Sequence, residues 1–452
     1  MLPFRTRLLY GSSRLGAEAL NKSQALWLLY YYAPPQDQTL GLPTLLPWFA
    51  VASLLTVGGI LGSLDDAVVG WLSDRTQSRW GRRIPYIVLG APLWSVFFIL
   101  MFVPPTSAGH AVTAIYLFLV FQAVRLCSAI VVGPYEALTP EMASTSEERV
   151  GLQAVKVYLG VLGAGVGLIG STYLIKHEHV SFEKMAITFG GLALVCQYLA
   201  VAGVWNRAKR SHIPAQIGFR DGLRTAFENR GFRILLPTIV LFALAVGVLI
   251  TNTPYYIHAV VGEHSWVNTW MLPVAFISAL AFVPVFMRLA RRKSKRRAYS
   301  ISMLGAAATF PLLTFAGVIP GIPAGVQIIV AVALIGGPLG AHFLFPIPLI
   351  SDVIDDDSRQ TGQRREATYL GAASFVEGVA TSFAPLLVVL LGLAGHLPGH
   401  TLGVRLAGVL GGALILAAYF VFRRYDVPDE VEGRVPPEAV VVVETAPAPA
   451  GT

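Results

Sequence analysis

Long apolar runs recur along this chain, and they constrain its fold more than any other feature. Twelve can be marked, at approximately 10–32, 44–71, 85–104, 111–138, 150–174, 185–205, 234–257, 268–289, 300–319, 323–350, 367–394 and 402–422. Each is long enough, as a helix, to cross a hydrocarbon core of ~30 Å. Only 13% of the 452 residues are charged and 54% are apolar, where an ordinary soluble domain carries roughly a quarter charged. The fold class expected is therefore an all-α membrane protein of twelve transmembrane helices. The first run carries Arg14, Glu18 and Lys22 and is followed by no small-residue processing site, so it reads as a retained helix rather than a cleaved signal.

The basic residues set an orientation, because Lys and Arg in short loops stay on the cytoplasmic side. Arg75, Arg79, Arg82 and Arg83 follow the second run, Arg149 the fourth, Arg207 through Arg230 the sixth, Arg288 through Arg297 the eighth, and Arg359, Arg364 and Arg365 the tenth. The loops after the first, third, seventh, ninth and eleventh runs hold no Lys or Arg, and only Lys176 and Lys184 fall on the far side. Both termini are expected in the cytoplasm of a cell bounded by an inner membrane. The same asymmetry accounts for the net charge of +8, so no nucleic-acid partner is called for; the run Arg291 to Arg297 is a topogenic loop that also suits anionic lipid.

Four segments follow: a six-helix bundle over 1–205, a basic cytoplasmic linker over 206–233, a second bundle over 234–424, and a disordered tail over 425–452. An internal echo supports two related halves. Glu141, Gly151 and Tyr158-Leu159-Gly160 recur at a constant offset as Asp352, Gly362 and Tyr369-Leu370-Gly371. There is no phosphate-binding Gly-Lys-Ser/Thr loop, no paired-His metal motif and no Cys cluster, so neither an ATP-driven pump nor a metalloenzyme is expected. Cys127 and Cys196 lie inside apolar runs and read as small core residues.

After the second run comes Gly70-Trp71-Leu72-Ser73-Asp74-Arg75, then Ser78-Arg79-Trp80-Gly81-Arg82-Arg83-Ile84-Pro85. This resembles the signature loop of the major facilitator superfamily, in the longer form of the glycoside-pentoside-hexuronide:cation symporters such as melibiose permease, and of the related sucrose transporters. Asp66, Tyr30-Tyr31-Tyr32, Gly133-Pro134 and Ser351-Asp352-Val353-Ile354-Asp355 extend the resemblance into both halves. It implies two pseudo-symmetric six-helix bundles working by alternating access, and symport of a sugar-like solute with H+ or Na+, without a bound cofactor. A lysolipid carrier of the same fold, or an uncoupled facilitator, is the alternative. A monomer is the default, with solute, coupling cation and membrane lipid as its partners.

An ionisable group at membrane depth is costly unless paired or facing water, so such groups lead the list of functional residues. Arg14, Glu18 and Lys22 stand four apart and share one face of the first helix; the stripe binds a polar solute, carries a proton, or simply neutralises itself. Asp65, Asp66, Glu136, Lys156 and Glu377 complete the set. The resemblance assigns cation coupling to Asp66; Asp65 beside it doubles the carboxyl content, and Glu18 and Glu377 are the acids expected to share its proton. The resemblance implies solute contacts at Glu18, Lys156 and Phe343; Arg14 and Lys22 on the stripe, Glu136 where the family has a sugar-contacting tryptophan, and His342 and Tyr369 at membrane depth are the further candidates. The chain departs from melibiose permease in having Gly62 and Val132 where that permease has acids, which favours protons over sodium. Asp74, Arg75, Arg79, Arg82 and Arg83, opposite Asp352 and Asp355, are expected to form a cytoplasmic charge latch.

Overall fold

The computed structural model describes residues 3–36, 38, 40–76, 78–107, 109–142, 146–177, 182–208, 224, 226–262, 266–361 and 365–427. The side chains of Asp66, Asp74, Arg75, Glu141 and Arg149, and all of Gly362 and Arg364, lie outside that set. The helices of the first half are α1 (Phe4–Tyr32), α2 (Trp48–Arg75), α3 (Ile84–Met101), α4 (Gly109–Met142), α5 (Ser146–Gly165), α6 (Ser171–His177) and α7 (Phe182–Ala208), with a π-helical turn Val166–Gly170 joining α5 to α6. The second half holds α8 (Arg230–Tyr256, continued by a π turn Ile257–Val261), α9 (Trp266–Arg292), α10 (Lys295–Thr309), α11 (Leu312–Phe315), α12 (Ala324–Leu344), α13 (Pro346–Thr361), α14 (Glu366–Thr381), α15 (Ala384–Gly392) and α16 (Leu402–Phe422).

Among the described residues, eleven spans are long and apolar enough to cross a membrane. The twelfth expected crossing, α1, falls below that hydropathy because of its charged stripe. At 29 residues it is about 43 Å long, and it packs between the α5 and α7 spans. Three expected single runs are broken. The run at 367–394 divides at Ser382 and Phe383, just before Pro385, which has no N–H to give and would crowd the carbonyl four residues back. The run at 323–350 divides at Phe345 before Pro346, and that at 300–319 around Phe310 and Pro311.

The packing repeats between halves. In the first, α1 lies against α5 and α7, α2 against α4, and α3 against α4 and α7; in the second, α8 lies against α14 and α16, α9 against α12, and α10 against α12 and α16. Without a hydrophobic force between helices in lipid, close approach of backbones supplies the attraction. A Cβ at Gly163 would lie 2.2 Å from the Leu15 carbonyl oxygen, and one at Gly340 2.3 Å from that of Ala279. The two bundles meet through α1 on α8 and through α2 on α14 and α15.

Boundaries shift by a few residues. Helix α7 runs to Ala208 and α8 starts at Arg230, capped by Asn229, whose side chain accepts from the Phe232 amide. The expected linker over 206–233 is thus shorter at both ends, and most of it lies outside the described residues. Tyr425, assigned to the tail, is instead 1% exposed and donates to the Leu349 carbonyl at 3.3 Å. The second bundle therefore extends past 424.

Candidate functional site

The stripe on α1 forms as its spacing requires. Arg14 Nη2 is 3.2 Å from Glu18 Oε1, and Lys22 Nζ is 3.9 Å from Glu18 Oε2. The stripe then leaves its own helix. Arg14 reaches Glu136 of α4 at 3.7 Å, and Glu136 accepts from Lys156 of α5 at 2.5 Å. Gly160 makes this possible, because a Cβ there would touch the Arg14 stem at 3.0 Å. The result is a ladder of five charges across three helices. The Arg14–Glu136 contact carries the network beyond α1.

Lys156 is the anchored end. Its side chain is 4% exposed, it donates to Thr139 at 3.0 Å, and its ammonium stands 5.8 Å and 5.1 Å from the ring centres of Tyr10 and Tyr135. Those two tyrosines clamp α1 to α4 reciprocally. The Tyr10 hydroxyl donates to the Tyr135 carbonyl, and the Tyr135 hydroxyl to the Tyr10 carbonyl at 3.0 Å. A buried ammonium is tolerable only when so compensated. The outer end is wet: the Arg14 and Glu136 side chains are 39% and 40% exposed although both sit well inside their helices. Exposure at that depth marks a water-accessible cavity.

The second bundle brings Glu377 and His342 within reach of the same charges, with Tyr299 fully buried beside His342. Glu377 lies within electrostatic reach of Lys22, Glu18 and Arg14, and also of Tyr299. His342 lies within reach of Lys22. Its ring stacks on Phe242 at 4.2 Å and 6°, with Nδ1 3.4 Å from the Tyr299 hydroxyl. Three cations, Arg14, Lys22 and Lys156, thus face three carboxylates, Glu18, Glu136 and Glu377. The charges balance when all are ionised.

Other expected residues fall elsewhere. Phe343 is 38% exposed and neighbours His342. Tyr369 is fully buried, edge-on to Phe232 at 5.1 Å and beside Asp357; it is a packing residue between α8 and α14 and stands apart from the ladder. Asp65 sits on α2 near Arg125 of α4. Asp66 follows it on α2, its side chain outside the described residues, as are those of Asp74 and Arg75. Of the expected latch, Arg79 is exposed, Arg82 and Arg83 are half-buried, and Trp80 packs on Trp205 of α7. The turn before them needs Gly81, at φ 95°. Asp352 is paired with Lys295 of α10 at 2.5 Å, inside its own half; Asp355 is half-buried.

At the end of the molecule where α1 stops, the bundles are sealed. Tyr30 of α1 meets Tyr255 of α8 at 5.3 Å, and the Tyr255 hydroxyl donates to the Ala33 carbonyl at 3.0 Å. Trp48 of α2 packs at a tilt against Tyr255 at 5.1 Å and His396 at 4.2 Å between ring centres. It occupies the space a Cβ on Gly392 would take. Sequence reasoning missed Tyr10, Tyr135, Thr139 and Tyr299 around the charges, and the Trp48 plug. Only Tyr135 and Thr139 carried a signal, flanking Glu136 within a turn of it.

A ladder of paired charges facing water between two repeated six-helix bundles is the architecture of a solute carrier, and comparison with known proteins agrees. A family model described as MFS/sugar transport protein matches residues 9–426. The chain belongs to the MFS/sugar transport protein family. A glucuronide carrier protein homolog of Escherichia coli is 22% identical, covering 82% of this chain and 83% of its own. The sodium-dependent lysophosphatidylcholine symporter 1 of Gallus gallus is 24% identical, covering 84% and 80%. Among solved structures, the nucleoside transporter NupG superposes with a TM-score of 0.63 at 12% identity, over 92% of this chain and 98% of that one, which shows the major facilitator fold. The MFS/sugar transport chain is a multi-pass membrane carrier.

Proposed function

We propose that this MFS/sugar transport protein is a proton-coupled symporter of a sugar-like solute. The observation that carries the reading is the charge balance of the cavity. With three cations against three carboxylates among the described side chains of the ladder and Glu377, a proton added to Glu18, Glu136 or Glu377 leaves an uncompensated positive charge at membrane depth, which is costly. A solute that brings hydroxyl or carboxylate oxygens to Arg14 and Lys22 offsets that charge. Proton and solute therefore each favour the other's binding, and the linkage is reciprocal.

Glu377, opposite Lys22, and Asp66 on α2 are the proton carriers in this reading. Glu18, Arg14, Lys22, Glu136 and His342 contact the solute, Lys156 fixes Glu136, and Phe343 stacks on a sugar ring. No cofactor takes part. The named relatives favour a glycoside or glucuronide-like solute, and a zwitterionic lysolipid headgroup is the second reading, since alternating charges also suit it. The Trp48 plug closes the outer face, and the arginines after α2 with the acids after α12 close the inner face in the alternate state. The first bundle, ending with α7 at Ala208, and the second, from Arg230 through Tyr425, are the two moving bodies in this reading; both termini lie in the cytoplasm of a bacterial inner membrane, and the working unit is a monomer.

The test is uptake into proteoliposomes under an imposed inward proton gradient, with and without sodium, screening glycosides, glucuronides and lysolipids. Proton-stimulated glycoside or glucuronide uptake that Asp66→Asn and Glu377→Gln both abolish supports the reading. Uptake indifferent to the gradient and to both substitutions makes the protein a facilitator instead.

A further inference from the structure

Away from the ladder, the seam between α2 and α4 holds a second charge with no role so far. Gly58 and Gly62 stand one turn apart on the face that α2 turns to α4. A Cβ at residue 62 would lie 2.6 Å from Arg125 Nε and 2.8 Å from Arg125 Cβ, and one at residue 58 would lie 2.9 Å from Gln122 Oε1. The arginine therefore lies flat along α2, in a groove that exists only because residue 62 has no side chain. Its Nε and the Gln122 Oε1 are buried with no hydrogen-bond partner among the described residues.

Less than one turn beyond Gly62 is Asp65, and the charge acting on its carboxylate among the described residues is that of Arg125. On the α14 side, Gly378 meets Ser63 and Ser382 meets Gly59; Glu377, next to Gly378, is an acid, and Arg125 is the cation acting at this level among the described residues. Asp66 is the adjacent acid. A guanidinium is never deprotonated in a protein, so the positive charge beside Asp65 is permanent. It offsets part of the cost of burying the carboxylate, and it repels any second cation that approaches.

We propose that Arg125 determines the coupling-ion specificity of this carrier: it is a resident cation, seated by Gly62 beside Asp65, and it excludes sodium and similar metal cations from the α2 carboxylates. Proton transfer at the remaining acids is then the route left for coupling. This rests on the symport reading above, but its test needs neither solute nor transport. Purified protein in nanodiscs is treated with a carbodiimide, which modifies accessible protonatable carboxyls, and modification of Asp65 is followed by peptide mass spectrometry in sodium chloride against choline chloride of equal ionic strength.

Wild type and Arg125→Lys are expected to label at the same rate in both salts. Arg125→Met, with Arg125→Gln as the second charge-removing variant, is expected to gain sodium protection of about fivefold or more, the range of ordinary site-to-site coupling. Sodium protection in wild type overturns the proposal, and so does its absence from both charge-removing variants once these elute as folded monodisperse protein. Failure of proton-driven uptake alongside sodium protection in Arg125→Met would remove the symport reading and leave the ion site standing.

Discussion

Replacing Glu136 with Gln should cost more stability than replacing Lys156, its partner, with Met. At 2.5 Å the pair attracts by about 7 kcal/mol at an effective dielectric of ~20, most of it offset by the dehydration of Lys156. Removing Glu136 leaves that dehydration in place with only Thr139 and the rings of Tyr10 and Tyr135 to compensate. Breaking a buried pair from one side typically costs 3–5 kcal/mol. Because the Glu136 side chain is 40% exposed, water replaces part of it, and the lower end, about 3 kcal/mol, is expected. That is roughly a hundredfold in the folded-to-unfolded ratio. Lys156→Met leaves Glu136 paired with Arg14 and in contact with water, so its effect should be smaller. The double variant, with neither charge, should recover at least half of the Glu136→Gln loss. Reversible unfolding of purified protein in mixed detergent and dodecyl sulfate micelles gives the cycle. Equal losses in the two single variants, or no recovery in the double variant, would refute the reasoning that Lys156 is the buried, dependent member.

Three further outcomes are expected. Trp48→Ala empties the plug between Tyr255, His396 and Gly392, so a cysteine reporter at Thr251, in a background lacking Cys127 and Cys196, should react with a membrane-impermeant maleimide about tenfold faster, the effect of ~1.4 kcal/mol lost from the closed state. Asp352→Asn removes the carboxylate bonded to Lys295, whose side chain is 17% exposed, and should destabilise by about 3 kcal/mol, with recovery on adding Lys295→Met, in the same micelle titration. Gly340→Val forces side-chain atoms into the Ala279 backbone, and should cost about 3 kcal/mol by separating α12 from α9.

The crossings were legible because apolar length is a direct consequence of the solvent: every residue facing lipid must be apolar and every backbone group must be paired within its helix. The charges of α1 lower its hydropathy, yet its run at 10–32 still stands out in the sequence, and its packing between the α5 and α7 spans agrees with a crossing. Glu18, Arg14, Lys22, Glu136, Lys156 and Glu377 were legible by a different rule, since charge at membrane depth is rare and needs a partner. The partners themselves were not. Glu136 and Lys156 stand on different helices, α4 and α5, and nothing in their spacing says that Gly160 clears the way for Arg14. Tyr369 misled because an aromatic residue in an apolar run looks the same whether it faces a cavity or Phe232. Asp352 was expected to bridge the halves, and its bond to Lys295 depends on a loop whose basic residues read equally well as topology.

The central claim is that solute and proton enter together through the ladder. The direct measurement is proton movement itself, followed with a trapped pH-sensitive dye in proteoliposomes at zero initial gradient, when a transported solute is added outside. The account predicts internal acidification on solute addition, absent in Glu377→Gln and Asp66→Asn. Solute accumulation in the lumen with no pH change in wild type would contradict it.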